Sequence, residues 1–462
     1  MRPFWIEQAL FADGDLAPAL QGELRADVCI VGGGFTGLWT AIQTKLQAPA
    51  REIVILESDL CGAGASGRNG GCLLTWSAKF LTLQRLFGTD EAVRLVQASE
   101  AAVGEIEAFC ARHGIDAELR RDGTLYTATA PAHIGALEPM MQALAAHGID
   151  AYRTLPPDEV ARRSGSRRNL AGVYAPNAAT VHPGKLVRGL RRVALAMGIR
   201  IHERTPMLRF DAGPPAVVHT PAGRVRADKL VLAMNAWMAS SFPQFERTIA
   251  IVSSDMVITE RCPALLQRAG LVDGVSVLDS RTFVYYYRST PDGRLMLGKG
   301  GNTFARGGRM ARVFDERSPY EAALTAALRA FFPELKDTPI TASWNGPSDR
   351  SVTGLPFFGR FDGAPHVSYG FGYSGNGVGP SYMGGQILSS LVLDQDNAWT
   401  RSPIVRGPLG FFPPEPLRYV GSIVVRDAIR RKERAEDLGR RPWVIDRMLS
   451  KLADAAGKAD KG

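Results

Sequence analysis

Asp27-Val-Cys-Ile-Val31 is a short apolar run that ends in Gly32-Gly33-Gly34, and residues 35 to 46 then carry apolar side chains at helical spacing. Pro49 stops that helix, and a second apolar run, Ile53-Val-Ile-Leu56, ends on Glu57. The unit reads as β-α-β and belongs to a parallel sheet. Gly32-x-Gly34-x-x-Gly37 lies directly after the strand and opens the helix. Glycines there permit a tight turn, let backbone approach a pyrophosphate at the positive helix end, and allow close helix-strand packing. Glu57, twenty residues after Gly37, stands where an acid would accept hydrogen bonds from an adenosine ribose. The plain alternative is a glycine-rich turn in an α/β fold without a ligand. The fingerprint alone does not separate FAD from NAD.

The rest of the chain alternates between two styles. Residues 90 to 113 and 132 to 147 are helical in pattern, with a strand at 123 to 129. Helix and strand return at 185 to 234, ending on the buried strand Lys229-Leu-Val-Leu-Ala-Met234. From 248 to 300 the pattern is mostly β, rich in branched and aromatic residues, with Tyr285-Tyr286-Tyr287 in one strand. A last strand-turn-helix unit runs from His366 through the glycine-rich Gly370 to Gly379 and on to about Leu393.

At 462 residues and 45% apolar content the chain is long enough for two or three domains. No stretch approaches the ~18 apolar residues of a membrane span, and Glu7 lies where a signal peptide needs an apolar run, so the expected compartment is the cytoplasm. Five cysteines without a C-x-x-C pair argue against disulfides or a zinc site, and no metal is expected. The net charge is +9, but residues 401 to 462 hold 14 Lys and Arg against 8 Asp and Glu, which is +6 of it. The first 400 residues are close to neutral, which speaks against nucleic acid as a partner. In the basic tail, no large apolar face accompanies the charges, so a docked or solvated helix is expected rather than membrane attachment.

Four motifs together resemble the FAD-dependent oxidoreductases of the D-amino acid oxidase and sarcosine oxidase superfamily. They are Asp27 to Gly37 with Glu57, the loop Gly62-Ala-Gly-Ala-Ser-Gly-Arg-Asn-Gly-Gly71, the strand end Val231 to Trp237, and Gly370 to Gly379. They stand in family order and span most of the chain. The resemblance implies an α/β and α+β fold, sarcosine oxidase-like, in which a discontinuous Rossmann-type FAD-binding domain alternates with an antiparallel-sheet substrate domain. Residues 1–89, 155–245 and 335–395 are expected in the first, 90–154 and 246–334 in the second, and 396–462 form a basic C-terminal extension.

The resemblance also implies contacts to FAD. They fall on Gly32, Gly34, Phe35, Thr36, Gly37, Glu57 and Ser58 around the fingerprint, and on Gly64, Ala65, Ser66, Arg68, Asn69 and Gly70 in the loop. Further along the chain they fall on Met207, Asn235, Trp237, Gly375, Asn376, Gly377 and Val378. The loop's glycines are read as close backbone approach to the cofactor. Some relatives attach flavin through a late cysteine or an early histidine; here Arg68-Asn69 fills the loop and no cysteine follows Cys262, so FAD is expected to be non-covalent.

Amine-oxidising relatives take a hydride from the carbon beside nitrogen, which needs a free nitrogen lone pair and little acid-base machinery. Lys299 lies near the strand position of an oxygen-activating lysine in sarcosine oxidase-like enzymes, against the plain reading of a hairpin-end lysine. His182 resembles a flavin-adjacent position, although a lone turn histidine is more often structural. Tyr285 and Tyr287 share one strand face and Tyr286 the other, so one set can line a pocket while the other packs. Tyr285, Tyr287, Arg288, Trp344 and Arg350 are taken as the substrate side.

The loop resembles the branch acting on small primary and secondary amines, including gamma-glutamylputrescine oxidases. Phe4 to Leu10 and the basic extension resemble aminophosphonate oxidoreductases more narrowly. This implies an anionic amine such as 2-aminoethylphosphonate or an N-alkyl derivative, oxidised to an imine that hydrolyses to an aldehyde, with O2 or another electron acceptor. Arg68, Arg288, Lys299 and Arg350 are then candidates for the anion. Alternatives are a gamma-glutamylputrescine or amino-acid oxidase or dehydrogenase, a flavin-binding subunit of a complex, and an RNA-base-modifying flavoenzyme. Oligomeric state is open.

Overall fold

The computed structural model describes residues 2–453, 459 and 460. Its first sheet forms around Gly22–Val31, whose last four residues are buried on both faces, as the unbroken apolar run requires. This strand pairs in parallel with Ile53–Leu56 on one side and Gly223–Leu232 on the other. The path across the sheet is Phe357–Phe361, Ala364–Phe371, Gly223–Leu232, Gly22–Val31, Ile53–Leu56, Arg200–His202. Ala216–His219 and Arg209–Asp211 extend it as an antiparallel ribbon. Helix Phe35–Gln47 packs against both Pro183–Ala196 and Pro380–Val392. A Cβ on Gly385 would come 2.6 Å from that of Trp39, so the missing side chain sets how closely two of these helices approach.

A second sheet of eight strands runs Ile340–Ser351, Ile249–Thr259, Leu295–Phe304, Tyr285–Ser289, Ser276–Asp279, Thr124–Ala128, Ala171–Ala175, Arg153–Leu155. It is antiparallel except where Ser276–Asp279 pairs in parallel with Thr124–Ala128. The segments interleave more finely than the sequence suggested. Ala171–Ala175 and Ile340–Ser351, expected on the cofactor side within 155–245 and 335–395, hydrogen-bond into this second sheet. Their alternation suits either sheet, and only long-range pairing decides.

The two faces of the second sheet serve different cores. Met256, Leu278, Tyr286 and Met296 join the core of the helices that cover the first sheet. Val257, Val277, Tyr287 and Leu297 pack instead with Phe331 and Phe332. The basic extension is a docked helix, Leu417–Asp437, lying along Leu295–Phe304. Polar pairs fix it: the buried Arg281 meets the partly exposed Asp437 at 2.5 Å, Lys299 meets Glu433 at 3.8 Å, and the His133 ring lies 3.2 Å from Glu436. Such pairs specify one docking geometry, since removing one partner strands a buried charge.

Candidate active site

One cleft of about 570 Å³ opens where the two sheets meet. Its floor is the end of the parallel sheet. Gly32 holds φ +114°, and a Cβ there would lie 2.4 Å from the Ala233 carbonyl oxygen, so only glycine closes this turn. Gly37 does not face the cleft. A Cβ on it would strike the Gly32 carbonyl at 1.9 Å, which makes it the contact that seats helix Phe35–Gln47 on the strand.

Glu57 stands at the end of Ile53–Leu56 and lines the cleft. It accepts from Gly33 N at 2.7 Å, Asp59 N at 3.0 Å and the Ser58 hydroxyl at 3.0 Å. Burial raises its carboxyl above the usual range, and those donors oppose the rise.

Of the twenty residues expected around a dinucleotide, all but Gly37 and Asn376 line the cleft. Asn376 is not in the lining, and its backbone N–H donates to the Tyr373 carbonyl at 2.9 Å. The loop Gly62 to Gly71 does cover the cleft, but its glycines mostly answer to protein. Cβ atoms on Gly62 and Gly67 would strike Val187 and Ile6 at 2.3 and 2.4 Å, and one on Gly70 would meet the Tyr286 ring at 2.5 Å. Gly71, at φ +74°, lies against the Val181 carbonyl and Arg288.

Arg68 lines the cleft, yet its donors are occupied. Nε donates to Ala63 O at 2.7 Å, Nη1 to Phe314 O and Asn345 O at 3.2 and 3.3 Å, and Nη2 to Asp315 at 2.6 Å. It ties the loop to the strand Ile340–Ser351, and Trp344 donates back to the Arg68 carbonyl at 2.9 Å.

The residues chosen for chemistry lie elsewhere. His182 caps helix Pro183–Ala196: Nδ1 accepts from Lys185 N at 3.1 Å, so Nε2 carries the proton and donates to Gln8 at 3.0 Å. Burial, then Arg288 and Lys185, push its pKa down to about 3, which keeps it neutral. Lys299 pairs across strands with Tyr285, on the face away from Tyr286. Its ammonium donates to Phe283 O at 2.7 Å and lies 3.9 Å over the Tyr285 ring. Burial lowers its pKa, opposed by Glu433 and Asp279.

Tyr287 bonds to Asn169 and Ser164 in the far core. Tyr285 packs beside Phe331. Arg288 holds the loop from behind, donating to Gly70 O at 2.7 Å and Val181 O at 2.8 Å. Trp344 stacks on Phe4 at 6.0 Å. Arg350 is buried beside Gly300, and burial lowers its pKa to about 10. None of these seven residues lines the cleft.

The second sheet contributes other side chains: Ser254, Met256, Leu278, Tyr286, Ser348 and Asp349. The Tyr286 hydroxyl and Ser254 Oγ hydrogen-bond at 2.9 Å. The ring lies over Gly298, where a Cβ would come within 2.3 Å of it. Gly298, which pairs with Tyr286 across the strands, is the sequence signal that could have marked this face, because a glycine within a strand leaves room for a ring to lie flat.

Asp349 is fully buried. It accepts from Gly372 N at 2.5 Å, and from the N–H groups of Tyr373 and Ser374. Gly372, Ser374 and Gly375 all have positive φ, so successive N–H groups converge as an anion nest, and Asp349 fills it. Burial pushes its pKa up to about 6.

The profile of the family described as "DAO: FAD dependent oxidoreductase" matches residues 27–391. This chain belongs to that family of FAD-dependent oxidoreductases. It is 29% identical to gamma-glutamylputrescine oxidoreductase of Escherichia coli, over 81% of this chain and 85% of that one. It is also 29% identical to the probable oxidoreductase OrdL of Rhizobium meliloti, over 84% and 88%. Its fold matches the crystal structure of glycine oxidase from Geobacillus kaustophilus with a TM-score of 0.68 at 23% identity, covering 83% of this chain and 98% of that one.

The cleft fits the cofactor this family binds. Its volume is that of a cofactor site. Glu57 is an acceptor at the end of the second parallel strand, and glycine backbone lines the fingerprint turn. Two buried polar atoms on the wall, Asn235 Oδ1 and Ser348 Oγ, have no partner among the described residues, as expected where a polar ligand supplies one.

Proposed function

We propose that the chain oxidises a small primary or secondary amine at this cleft, of the gamma-glutamylputrescine type, with O2 as the electron acceptor. When bound, FAD takes up the hydride lost from the carbon beside nitrogen, leaving an imine that water splits to an aldehyde. Gly32, Gly34 and the N-terminus of helix Phe35–Gln47 would hold the pyrophosphate, Glu57 the ribose, and Gly375 to Val378 the pyrimidine end of the ring.

The observation that carries the amine reading is the second sheet's share of the wall. It presents the Tyr286, Ser254 and Ser348 hydroxyls, Met256, Leu278 and the Asp349 carboxyl, and no cation. With Asp349 engaged by the Gly372 to Ser374 N–H groups, the side chains left to meet substrate are uncharged, and a desolvated wall of this kind favours the neutral amine whose lone pair the reaction needs. The Tyr286 and Ser254 hydroxyls can accept an amine N–H and so aim the adjacent carbon. Asp349 acts at one remove, by fixing the Gly372 to Ser374 backbone.

The aminophosphonate reading is supported by the resemblance at Phe4 to Leu10 and by the basic extension. It needs a cation to meet a phosphonate. Among the described residues Arg68 is the one cationic side chain on the cleft wall, and its donors already serve Ala63, Phe314, Asn345 and Asp315. We therefore rank the gamma-glutamylputrescine type first.

The test is anaerobic mixing of the FAD-loaded protein with gamma-glutamylputrescine, putrescine and 2-aminoethylphosphonate while the flavin absorbance is followed, and then admission of air. Bleaching by the first and recovery in air are the expected results. Bleaching by the phosphonate alone would reverse the ranking, and bleaching by no amine would remove the proposal.

A further inference from the structure

Beyond residue 391, where the family match ends, the extension closes on a helix with inverted polarity. Val444–Lys451 buries Asp446 and Ser450. It packs against Leu417–Asp437, where Arg431 holds both Asp446 oxygens at 2.7 to 3.2 Å. Its apolar side chains other than Leu449 face outward. Trp443, Val444, Ile445, Met448 and Leu452 are between 64% and 79% exposed. Positions 444, 445, 448 and 452 fall on one helical face. Arg440, Arg441, Arg447 and Lys451 are exposed around it, and the one acid between residues 438 and 453 is the buried Asp446. The exposed charge of this segment is therefore wholly basic. The expectation that no apolar face accompanies the basic residues fails here, because the bulky residues are spaced for a face that the docking leaves uncovered.

A helix that hides its polar side and shows its apolar side has a surface completed by something else. We propose that this face docks on an anionic lipid surface, with the helix lying in the plane of the headgroups. Val444, Ile445, Met448 and Leu452 supply the apolar side, Trp443 the ring suited to headgroup depth, and the four cations the phosphate contacts. The wider field has the same sign, since +6 of the net +9 lies in the last 62 residues.

A second copy on the same patch is a poorer occupant. A two-fold contact would set Arg440, Arg441, Arg447 and Lys451 against their own images. Among the described residues no helix is long and apolar enough to cross a membrane, so the contact is peripheral. The inference is independent of which amine the cleft takes.

The experiment is sedimentation of the full-length, FAD-loaded protein with vesicles of phosphatidylglycerol and phosphatidylcholine, or of phosphatidylcholine alone. The expected result is at least about tenfold greater partition to the anionic vesicles, lost near about 0.5 M salt, with a blue shift of tryptophan emission. An Ile445→Asp, Met448→Asp variant, shown by its melting temperature and flavin content to be folded, should lose that partition. Trp443→Phe should keep most of the partition and lose the shift. Equal partition to neutral vesicles, or undiminished binding by the double variant, would overturn the proposal. So would a lipid-free dimer that the double variant dissociates, or salt-sensitive capture of an acidic protein in place of lipid.

Discussion

The cleft between the two sheets has two kinds of wall. The parallel sheet and its loops contribute backbone: the Gly32 turn, the Gly62 to Gly71 cover and the Gly372 to Gly375 nest. The second sheet contributes side chains from alternate positions of extended strands. A backbone wall is specified by consecutive glycines at special φ, which stand together in the chain. A side-chain wall is specified by strand register, where moving by one residue exchanges pocket for core.

The comparison predicts its largest effect at the backbone wall. Gly32→Ala puts a Cβ 2.4 Å from the Ala233 carbonyl at φ +114°. Strain and displacement of the turn should lower FAD affinity by about a hundredfold, or roughly 3 kcal/mol. Flavin content after purification, and FAD titration of the stripped protein, measure this. Retention of FAD at the wild-type level would show that the turn does not set cofactor binding.

Asp349 joins the two walls, since a side chain of the second sheet holds the backbone nest. Burial lifts its carboxyl from 3.8 to about 6. A folded value above the unfolded one makes its contribution to stability complete below about pH 3.8 and lost as pH rises through about 6. Asp349→Asn should remove a pH-dependent component of roughly 3 kcal/mol between those limits. Denaturant unfolding of wild type and variant, both saturated with FAD, gives it as the difference between two pH profiles. Parallel profiles would mean that the carboxyl does not titrate in that window.

The asymmetry between the walls also explains what could be read from sequence. Strand, glycine turn, helix and terminal acid are local, so the β-α-β unit was legible in the residues themselves, while most of the eighteen expected residues that line the cleft were implied by the family resemblance. The second sheet was legible as β structure but not in its pairing, and Ala171–Ala175 and Ile340–Ser351, expected with the cofactor side, pair into it. Cationic and aromatic residues near the motifs drew the functional reading, although Arg288, Lys299 and His182 are cations or caps committed to nearby backbone. Asp349 was passed over for its neighbour Arg350 because a nest is visible only once Gly372 to Ser374 fold back upon it.

A smaller effect separates the two faces of one strand. Tyr286→Phe removes the hydroxyl that meets Ser254 at the cleft and should lower kcat/KM for amine by about tenfold. Tyr287→Phe removes bonds to Asn169 and Ser164 in the far core. It should cost about 1 to 3 kcal/mol of stability and leave kcat/KM unchanged. The opposite assignment of effects would mean that the register places the other face at the substrate.

Little effect on chemistry is expected at Lys299, which the family resemblance sets near the position of an oxygen-activating lysine. Its ammonium is held by Phe283 O, the Tyr285 ring and Glu433, on the face of Leu295–Phe304 that carries the C-terminal helix. A cation there is separated from the cleft by the strand itself and is partly neutralised by Glu433 and Asp279. Lys299→Met should therefore change the rate of flavin reoxidation by air by less than about twofold. It removes a counter-charge from the buried Glu433, so the cost falls on docking of Leu417–Asp437 and shows as a lower melting temperature and faster proteolysis within the extension. A reoxidation rate lower by about a hundredfold at unchanged stability would return the lysine to the flavin.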